Sequence, residues 1–80
     1  MNFKTDIELY KTIGRNIKKY RIQANLTQSQ LAEKTKISVS YISKLEAENC
    51  NKSLSISALN QIANTLNTDI IYFFKEDNLQ

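Results

Sequence analysis

The fold of this chain is decided by the stretch LTQSQLAEKTKISVSYISKLEA, residues 26–47. Thr27 and Gln30 have the spacing of a capping box, in which each side chain satisfies a backbone N–H at a helix start. Ser38 is a favoured cap for a second helix, and Ile37 supplies an apolar plug between the two. The stretch therefore predicts two short helices joined by a tight turn.

The second helix of this pair is predicted to run from Val39 to about Ala47. Ile42 and Leu45 continue the apolar pattern of Ile37 and face inward. The opposite face combines small or polar side chains: Val39, Ser40, Ser43, Lys44 and Ala47. Steps of one, three, one and three residues place these side chains on one helix face. This face lacks the mixture of Glu and Lys that is usual on a solvated helix. Such a pair indicates a helix-turn-helix, whose second helix enters the DNA major groove.

Three further helices are predicted around the pair, which makes an all-α, compact five-helix domain. The first carries an apolar stripe at four- and three-residue steps: Leu9, Ile13, Ile17, Tyr20 and Ala24. Ser55 caps the fourth, whose stripe is Ile56, Leu59, Ile62, Ala63 and Leu66. Asn67 suits the left-handed residue that ends a helix. Asp69 can cap a short final helix, which contains Ile70, Ile71, Tyr72, Phe73 and Phe74.

Composition and charge agree with a nucleic-acid-binding helical domain. The 80 residues form one domain, with 1–6 and 76–80 expected to be frayed. Pro is absent and Gly14 is the only glycine, which disfavours a hairpin-rich β fold. From Lys11 to Lys44 there are eight basic residues against Glu33 alone, so this segment carries a net charge of +7 (eight minus one) within a chain of +3. This asymmetry favours a polyanionic partner near the central segment, although a solvated basic helix face is the alternative.

Several functional classes are disfavoured by the composition. The chain has no His and no Gly-rich phosphate loop, so we expect no enzyme activity, no catalytic residues, no metal site and no cofactor. The lone Cys50 has no partner for an internal disulfide, and an incidental loop position is favoured over redox sensing. No signal peptide or membrane-length apolar run is present, so a cytoplasmic protein without membrane contact is expected. No spare domain for a small-molecule sensor is evident, so no small-molecule ligand is expected.

Four stretches carry a resemblance to a known family: IGRNIKKYR (13–21), LTQSQLAEKT (26–35), ISVSYISKLE (37–46) and LNQIANTLN (59–67). With them the chain from Ile13 to Phe74 resembles the lambda-repressor-like helix-turn-helix regulators, also called the xenobiotic-response-element (XRE) family. Within that family, SYISKLE followed by LSISALNQIANTL and Phe73–Phe74 is most similar to the controller proteins of restriction–modification systems. The resemblance implies a transcription regulator that binds double-stranded DNA.

The resemblance also implies roles for residues of the recognition helix. Val39, Ser40 and Lys44 match positions that reach base edges. Ser40 could exchange a hydrogen bond with a base, Lys44 suits guanine O6 or N7, and Val39 could pack on a thymine methyl. Ser43 is expected at a phosphate or the groove wall. Tyr41 is equally compatible with a phosphate contact and with half-buried packing.

Other positions match contacts outside that helix. Gln28 is expected to touch a phosphate or the edge of the DNA site, and Ser38 caps the helix end that must approach the DNA. The loop residues Asn49, Asn51 and Lys52 match a segment that grips the DNA backbone. Arg21 and Glu46 match a structural ion pair between the first helix and the end of the recognition helix.

Three positions depart from the family pattern. Lys36 stands in the turn where Gly is usual, and a side chain in a left-handed conformation is strained. Glu48 replaces another common Gly and brings an anion close to the expected phosphate path. Thr68 stands where an apolar residue is usual.

The C-terminal apolar run predicts a homodimer. Ile70, Ile71, Tyr72, Phe73 and Phe74 are too many apolar neighbours for one face of a short helix, so we expect some of them to form a two-fold interface. Closure of the core by Phe73 and Phe74 is the alternative. A dimer would place two recognition helices about one DNA turn (~34 Å) apart on a palindromic operator.

A protein-interaction module is the rival function. An antitoxin that also binds its own promoter would share the helix-turn-helix, but its toxin would need a separate segment to grip. Only residues 1–10 or 75–80 are spare for that purpose. Salt-sensitive binding to a palindrome favours the regulator, whereas tight one-to-one binding to a protein favours the antitoxin.

Overall fold

The fold is all-α in the computed structural model, which describes residues 2–47 and 54–76. Within those residues there are four α-helices: α1 (Asp6–Gln23), α2 (Gln28–Thr35), α3 (Val39–Glu46) and α4 (Ile56–Thr65). A 3-10 helix, Ile70–Phe74, follows them. The all-helical prediction is therefore confirmed, with the helix-turn-helix formed by α2 and α3.

The predicted short fifth helix is present, but it is a 3-10 helix and not an α-helix. The segment is a 3-10 helix of five residues, capped by Asp69, whose side chain accepts a hydrogen bond from the backbone N–H of Ile71. Three aromatic and two β-branched residues make it a poor α-helix former. A 3-10 helix is the usual form for so short a helical piece.

The helix starts follow the predicted caps. Thr27 and Gln30 form the capping box at α2, since each side chain bonds the backbone of the other residue. The hydroxyls of Ser38 and Ser55 cap α3 and α4. α1 begins at Asp6, capped by Thr5, inside the segment expected to be frayed. Each cap satisfies a backbone N–H that a helix start leaves without an intrahelical partner.

The core lies where all the elements meet. Its buried apolar side chains come from every helix: Ile13 and Ile17 of α1, Leu31 of α2, Ile42 and Leu45 of α3, Leu59, Ile62 and Ala63 of α4, then Leu66 and Phe73. Of the other predicted stripe positions, Leu9 and Tyr20 are partly buried and pack against this core, whereas Ile56 and Ala24 are exposed. Ile56 is 71% exposed because it is the first residue of α4 and lies beyond the edge of the core. Ala24 is exposed as the C-cap of α1.

The turn between α2 and α3 passes through a left-handed residue. Lys36 has a φ of 63°, as its match to a family glycine suggested. Thr35 is buried beside it, where its hydroxyl donates to the carbonyl of Leu31 and accepts from the N–H of Ile37. The amide of Gln61 donates to the carbonyl of Thr35 and so ties the turn to α4. The predicted left-handed Asn67 is also present, with a φ of 55°.

No helix in the described parts of the chain combines the length and the apolar character needed to cross a membrane.

Candidate nucleic-acid interface

α3 separates its side chains into an inner and an outer face. Ile42, Leu45 and Glu46 are buried. The outer face is exposed along its whole length: Val39, Ser40, Ser43, Lys44 and Ala47. The structure thus brings the three residues predicted to reach base edges onto one open surface. That surface offers hydroxyl, ammonium and methyl groups, which can read base edges in a major groove.

Tyr41 and Ser38 lie at the margins of this outer face. Tyr41 is half-buried and packs against the core, as one of its two expected roles required. The hydroxyl oxygen of Ser38 accepts from the backbone N–H of Tyr41 at 3.1 Å. A hydroxyl keeps its own proton when it accepts, so Ser38 can still donate to a phosphate.

An ion pair fixes the inner side of α3 to α1. Nε and Nη2 of Arg21 donate to the two carboxylate oxygens of Glu46, at 2.7 and 2.9 Å. Both side chains are nearly enclosed, at 10% and 3% exposure. The hydrogen bond with Glu46 raises the pKa of Arg21, burial opposes the rise, and the charge of Glu46 adds to it. The pair keeps the one carboxylate of α3 neutralised inside the domain, away from the outer face.

Gln28 takes part in the same network. Its Nε2 donates to Glu46 Oε1 at 3.0 Å, and the side chain is half-buried. The sequence predicted a phosphate contact for Gln28 but gave no signal for this internal bond. A residue at the start of α2 is therefore linked to the last residue of α3.

Gly14 is a further positioning residue that the sequence analysis did not assign. A Cβ at this position would collide with the carbonyl oxygen of Leu45 in α3. The bare Cα lets the backbones of α1 and α3 approach closely. A lone glycine in the middle of a helical stripe was the available signal, because glycine lowers helix stability wherever no contact requires it.

Part of the predicted interface lies outside the described residues. Asn49, Asn51 and Lys52 belong to residues 48–53, as do Glu48 and Cys50. Their predicted contacts with the DNA backbone remain predictions.

The C-terminal apolar residues divide into buried and exposed members. Phe73 is fully buried, which corrects its place in the predicted dimer surface: it closes the core of its own chain. Ile70 and Phe74 are half-buried. Ile71 and Tyr72 remain open to solvent, at 46% and 43% exposure. The surface available to a second chain therefore centres on Ile71 and Tyr72.

This segment is anchored on α1 by a buried amide that the sequence analysis missed. Nδ2 of Asn16 donates to the carbonyls of Phe73 and Lys75, at 2.8 and 2.7 Å. The rings of Tyr20 and Tyr72 stack with their centroids 6.3 Å apart. α1 therefore holds both the recognition helix and the exposed apolar pair in place.

Comparison with known proteins agrees with this geometry. A helix-turn-helix family model matches residues 17–73, which contain α2, α3 and α4. The chain is 38% identical over 68 residues to the immunity repressor protein of Bacillus phage phi105. That similarity covers 85% of this chain and 46% of the phage protein, so the chain spans about half the length of this relative.

Proposed function

Because this chain belongs to the helix-turn-helix family of lambda-repressor-like regulators, we propose that it is a DNA-binding transcription regulator that binds a palindromic operator as a homodimer. α3 enters the major groove. Val39, Ser40 and Lys44 contact base edges, while Gln28, Ser38 and Ser43 contact phosphates or the groove wall. The proposed place of action is the cytoplasm.

The outer face of α3 carries this proposal. It is exposed from Val39 to Ala47, has one lysine, and has no carboxylate among its exposed residues. The carboxylate of Glu46 is paired with Arg21 on the inner side. Phosphates surround the major groove, so an unpaired carboxylate on this face would oppose binding. The arrangement is suited to polyanionic DNA.

The homodimer is supported by the size of the domain and by its exposed apolar pair. The domain measures 33 × 26 × 19 Å. Two copies side by side can therefore place their recognition helices about one DNA turn (~34 Å) apart. Ile71 and Tyr72 offer adjoining apolar surface for a two-fold contact.

The regulated genes are proposed from two similarities. The resemblance of SYISKLE and the following helix to controller proteins supports restriction–modification genes as targets. The name of the phage relative supports repression as the outcome of operator binding. Mapping the bound positions on the host chromosome distinguishes these targets, because each predicts occupancy next to different genes.

A binding selection on randomised duplex DNA tests the proposed function. We expect a palindromic consensus from the natural chain. Lys44→Ala and Ser40→Ala should each relax the preference at defined positions, at a cost of about 1–3 kcal/mol. Lys18→Ala, which removes an equal charge from an exposed position of α1, should leave the consensus unchanged. Weak binding that falls equally for all sequences as salt rises would contradict sequence-specific regulation.

A further inference from the structure

Residues of α1, α2 and α3 and one residue of the loop before α2 form one hydrogen-bond network around Glu46. The carboxylate of Glu46 accepts two hydrogen bonds from Arg21 and one from Gln28. The remaining nitrogen of the guanidinium, Nη1 of Arg21, donates to the carbonyl of Leu26 at 2.7 Å. The network thus joins the end of α1, the residue before the α2 cap, the first residue of α2 and the last residue of α3.

The two hydrogen bonds from the Arg21 guanidinium hold the carboxylate of Glu46 in one position. Two parallel N–H to oxygen bonds define the plane of the carboxylate as well as its distance. The carboxylate is also enclosed, at 3% side-chain exposure. The amide of Gln28, which bonds Oε1 of this carboxylate, therefore has a defined orientation rather than the free rotation of a surface glutamine.

The amide of Gln28 keeps one donor to spare. An amide nitrogen has two N–H bonds, and one is used by Glu46. Within residues 2–47 and 54–76 the second has no acceptor. Gln28 is half-buried rather than enclosed, so this second N–H is available to a group outside the protein.

We propose that Glu46 is a positioning residue for DNA binding, which orients the Gln28 amide so that its second N–H donates to an operator phosphate. Glu46 itself does not touch the DNA. The inference rests on the proposed function, which places Gln28 at the DNA. A side chain held in its bound geometry before the complex forms loses less freedom on binding. The Arg21–Glu46 pair then contributes to DNA affinity through Gln28, in addition to holding α1 and α3 together.

A comparison of Gln28→Ala in two backgrounds tests this coupling. The first background is the natural chain. The second carries Arg21→Met together with Glu46→Leu, which removes the fixed acceptor without leaving an unpaired buried charge. Such apolar replacement of a buried pair is often compatible with folding. Circular dichroism checks that each variant is folded, and Gln23→Ala, at an exposed glutamine of α1, is the matched control.

Affinity is measured for the operator found by selection. We expect Gln28→Ala to lower affinity about tenfold in the natural chain and less than about threefold in the second background. Gln23→Ala should change affinity less than about twofold in either. An equal loss from Gln28→Ala in both backgrounds, or no loss in either, would overturn the proposal.

A second measurement separates a phosphate contact from a structural effect. Single phosphates of the operator are replaced, one at a time, by neutral methylphosphonates. At one position, the replacement should remove most of the difference between the natural chain and Gln28→Ala. A difference that persists on every modified duplex would show that Gln28 only supports the fold, and the proposal would be wrong.

The inference and the proposed function fail in different ways. If the natural chain selects no specific duplex, both are wrong. If it binds a specific operator but Gln28→Ala costs the same with and without the Glu46 carboxylate, the regulator stands and only the positioning role is wrong.

Discussion

Gly14 of α1 lies against the main chain of α3 at Leu45, where a Cβ would collide with the carbonyl oxygen. Seven residues further along α1, Arg21 bonds the carboxylate of Glu46 in α3. Residues seven apart lie on nearly the same helix face. One face of α1 therefore holds α3 by a close backbone contact and by an ion pair.

Gly14→Ala is expected to destabilise the domain. Alanine is better than glycine within a helix by about 0.5–1 kcal/mol. Against this gain, the added methyl group must displace the backbone at Leu45, and such overpacking costs about 1–3 kcal/mol or more. The net change should be a lower free energy of unfolding, which denaturant titration measures.

Lys18→Ala is the control for this prediction, since Lys18 is an exposed residue of the same helix. It should change the free energy of unfolding by less than about 0.5 kcal/mol. A Gly14→Ala chain that is as stable as the natural one would mean that α1 and α3 can separate without loss.

Local sequence signals predicted the helix-turn-helix well because they depend on neighbours in the chain. The capping box of Thr27 and Gln30 and the hydroxyl caps Ser38 and Ser55 all form. Asn67 adopts the left-handed conformation that its residue type favours at a helix end. The caps and Asn67 are each completed within about three residues, so periodicity and residue type were sufficient. Lys36 is also left-handed, but the family resemblance suggested this and its residue type did not.

The features that the sequence analysis missed depend on contacts between distant residues. Asn16 bonds carbonyls 57 and 59 positions away, and Gln28 bonds Glu46 across α2 and α3. Nothing in the local pattern distinguishes these polar side chains from exposed ones. Ile56 shows the opposite error. Its spacing places it on the apolar stripe of α4 and predicts burial, but it is exposed because the core ends before it.

The left-handed turn residue gives a second stability prediction. Lys36 has a φ of 63°, a conformation that costs roughly 1–2 kcal/mol for a residue with a Cβ. Lys36→Gly removes this cost but adds about 0.5–1 kcal/mol of chain entropy in the unfolded state. We expect a small net stabilisation in the absence of DNA, measured by thermal unfolding.

Lys34→Gly provides a matched control with the opposite sign. Lys34 is exposed in the last turn of α2 and has a helical conformation. Glycine there should destabilise by about 1 kcal/mol. The same charge is lost in both variants, so equal effects would contradict a conformational cause.

Arg21→Met is expected to lower the free energy of unfolding strongly at neutral pH. Arg21→Met leaves Glu46 buried without its partner, which should lower the free energy of unfolding by about 3–5 kcal/mol. The pKa of Arg21 is raised by Glu46. The stabilisation from that shift is complete below the unfolded-state pKa and is lost only as pH rises through the folded-state pKa, which is strongly alkaline. Both neutral pH and about pH 9 lie below that pKa, so the stabilisation that the shift gives the natural chain is the same at the two pH values. Denaturant titration at neutral pH measures the loss in Arg21→Met.

Lys18→Met is the control for this pair, because it removes an exposed charge from α1. It should cost less than about 0.5 kcal/mol at neutral pH. A small loss from Arg21→Met at neutral pH would contradict a buried pair in which each charge needs the other.

The anchoring of the C-terminal segment by Asn16 gives a further prediction. Asn16→Ala removes two hydrogen bonds and leaves the buried carbonyl of Phe73 without its donor. A loss of about 1–3 kcal/mol is expected in the free energy of unfolding. Asn60→Ala, at an exposed position of α4, should have little effect. Comparable losses from the two substitutions would mean that water replaces the Asn16 bonds at no cost.

The last prediction concerns the proposed homodimer. It rests on Ile71 and Tyr72, the exposed apolar residues of the C-terminal segment. Ile71→Lys places a charge at the centre of the proposed two-fold surface, where the two copies bring equal charges together. We expect the sedimenting mass to fall from that of two chains to that of one, and operator affinity to fall with it, while the fold is kept. Ile56→Lys is the control. Ile56 is a more exposed isoleucine, at 71%, and begins α4, whereas Ile71 follows the end of that helix. If both variants sediment as the natural chain does, the contact between copies lies elsewhere than at Ile71. If both dissociate, added charge rather than the Ile71 surface controls association.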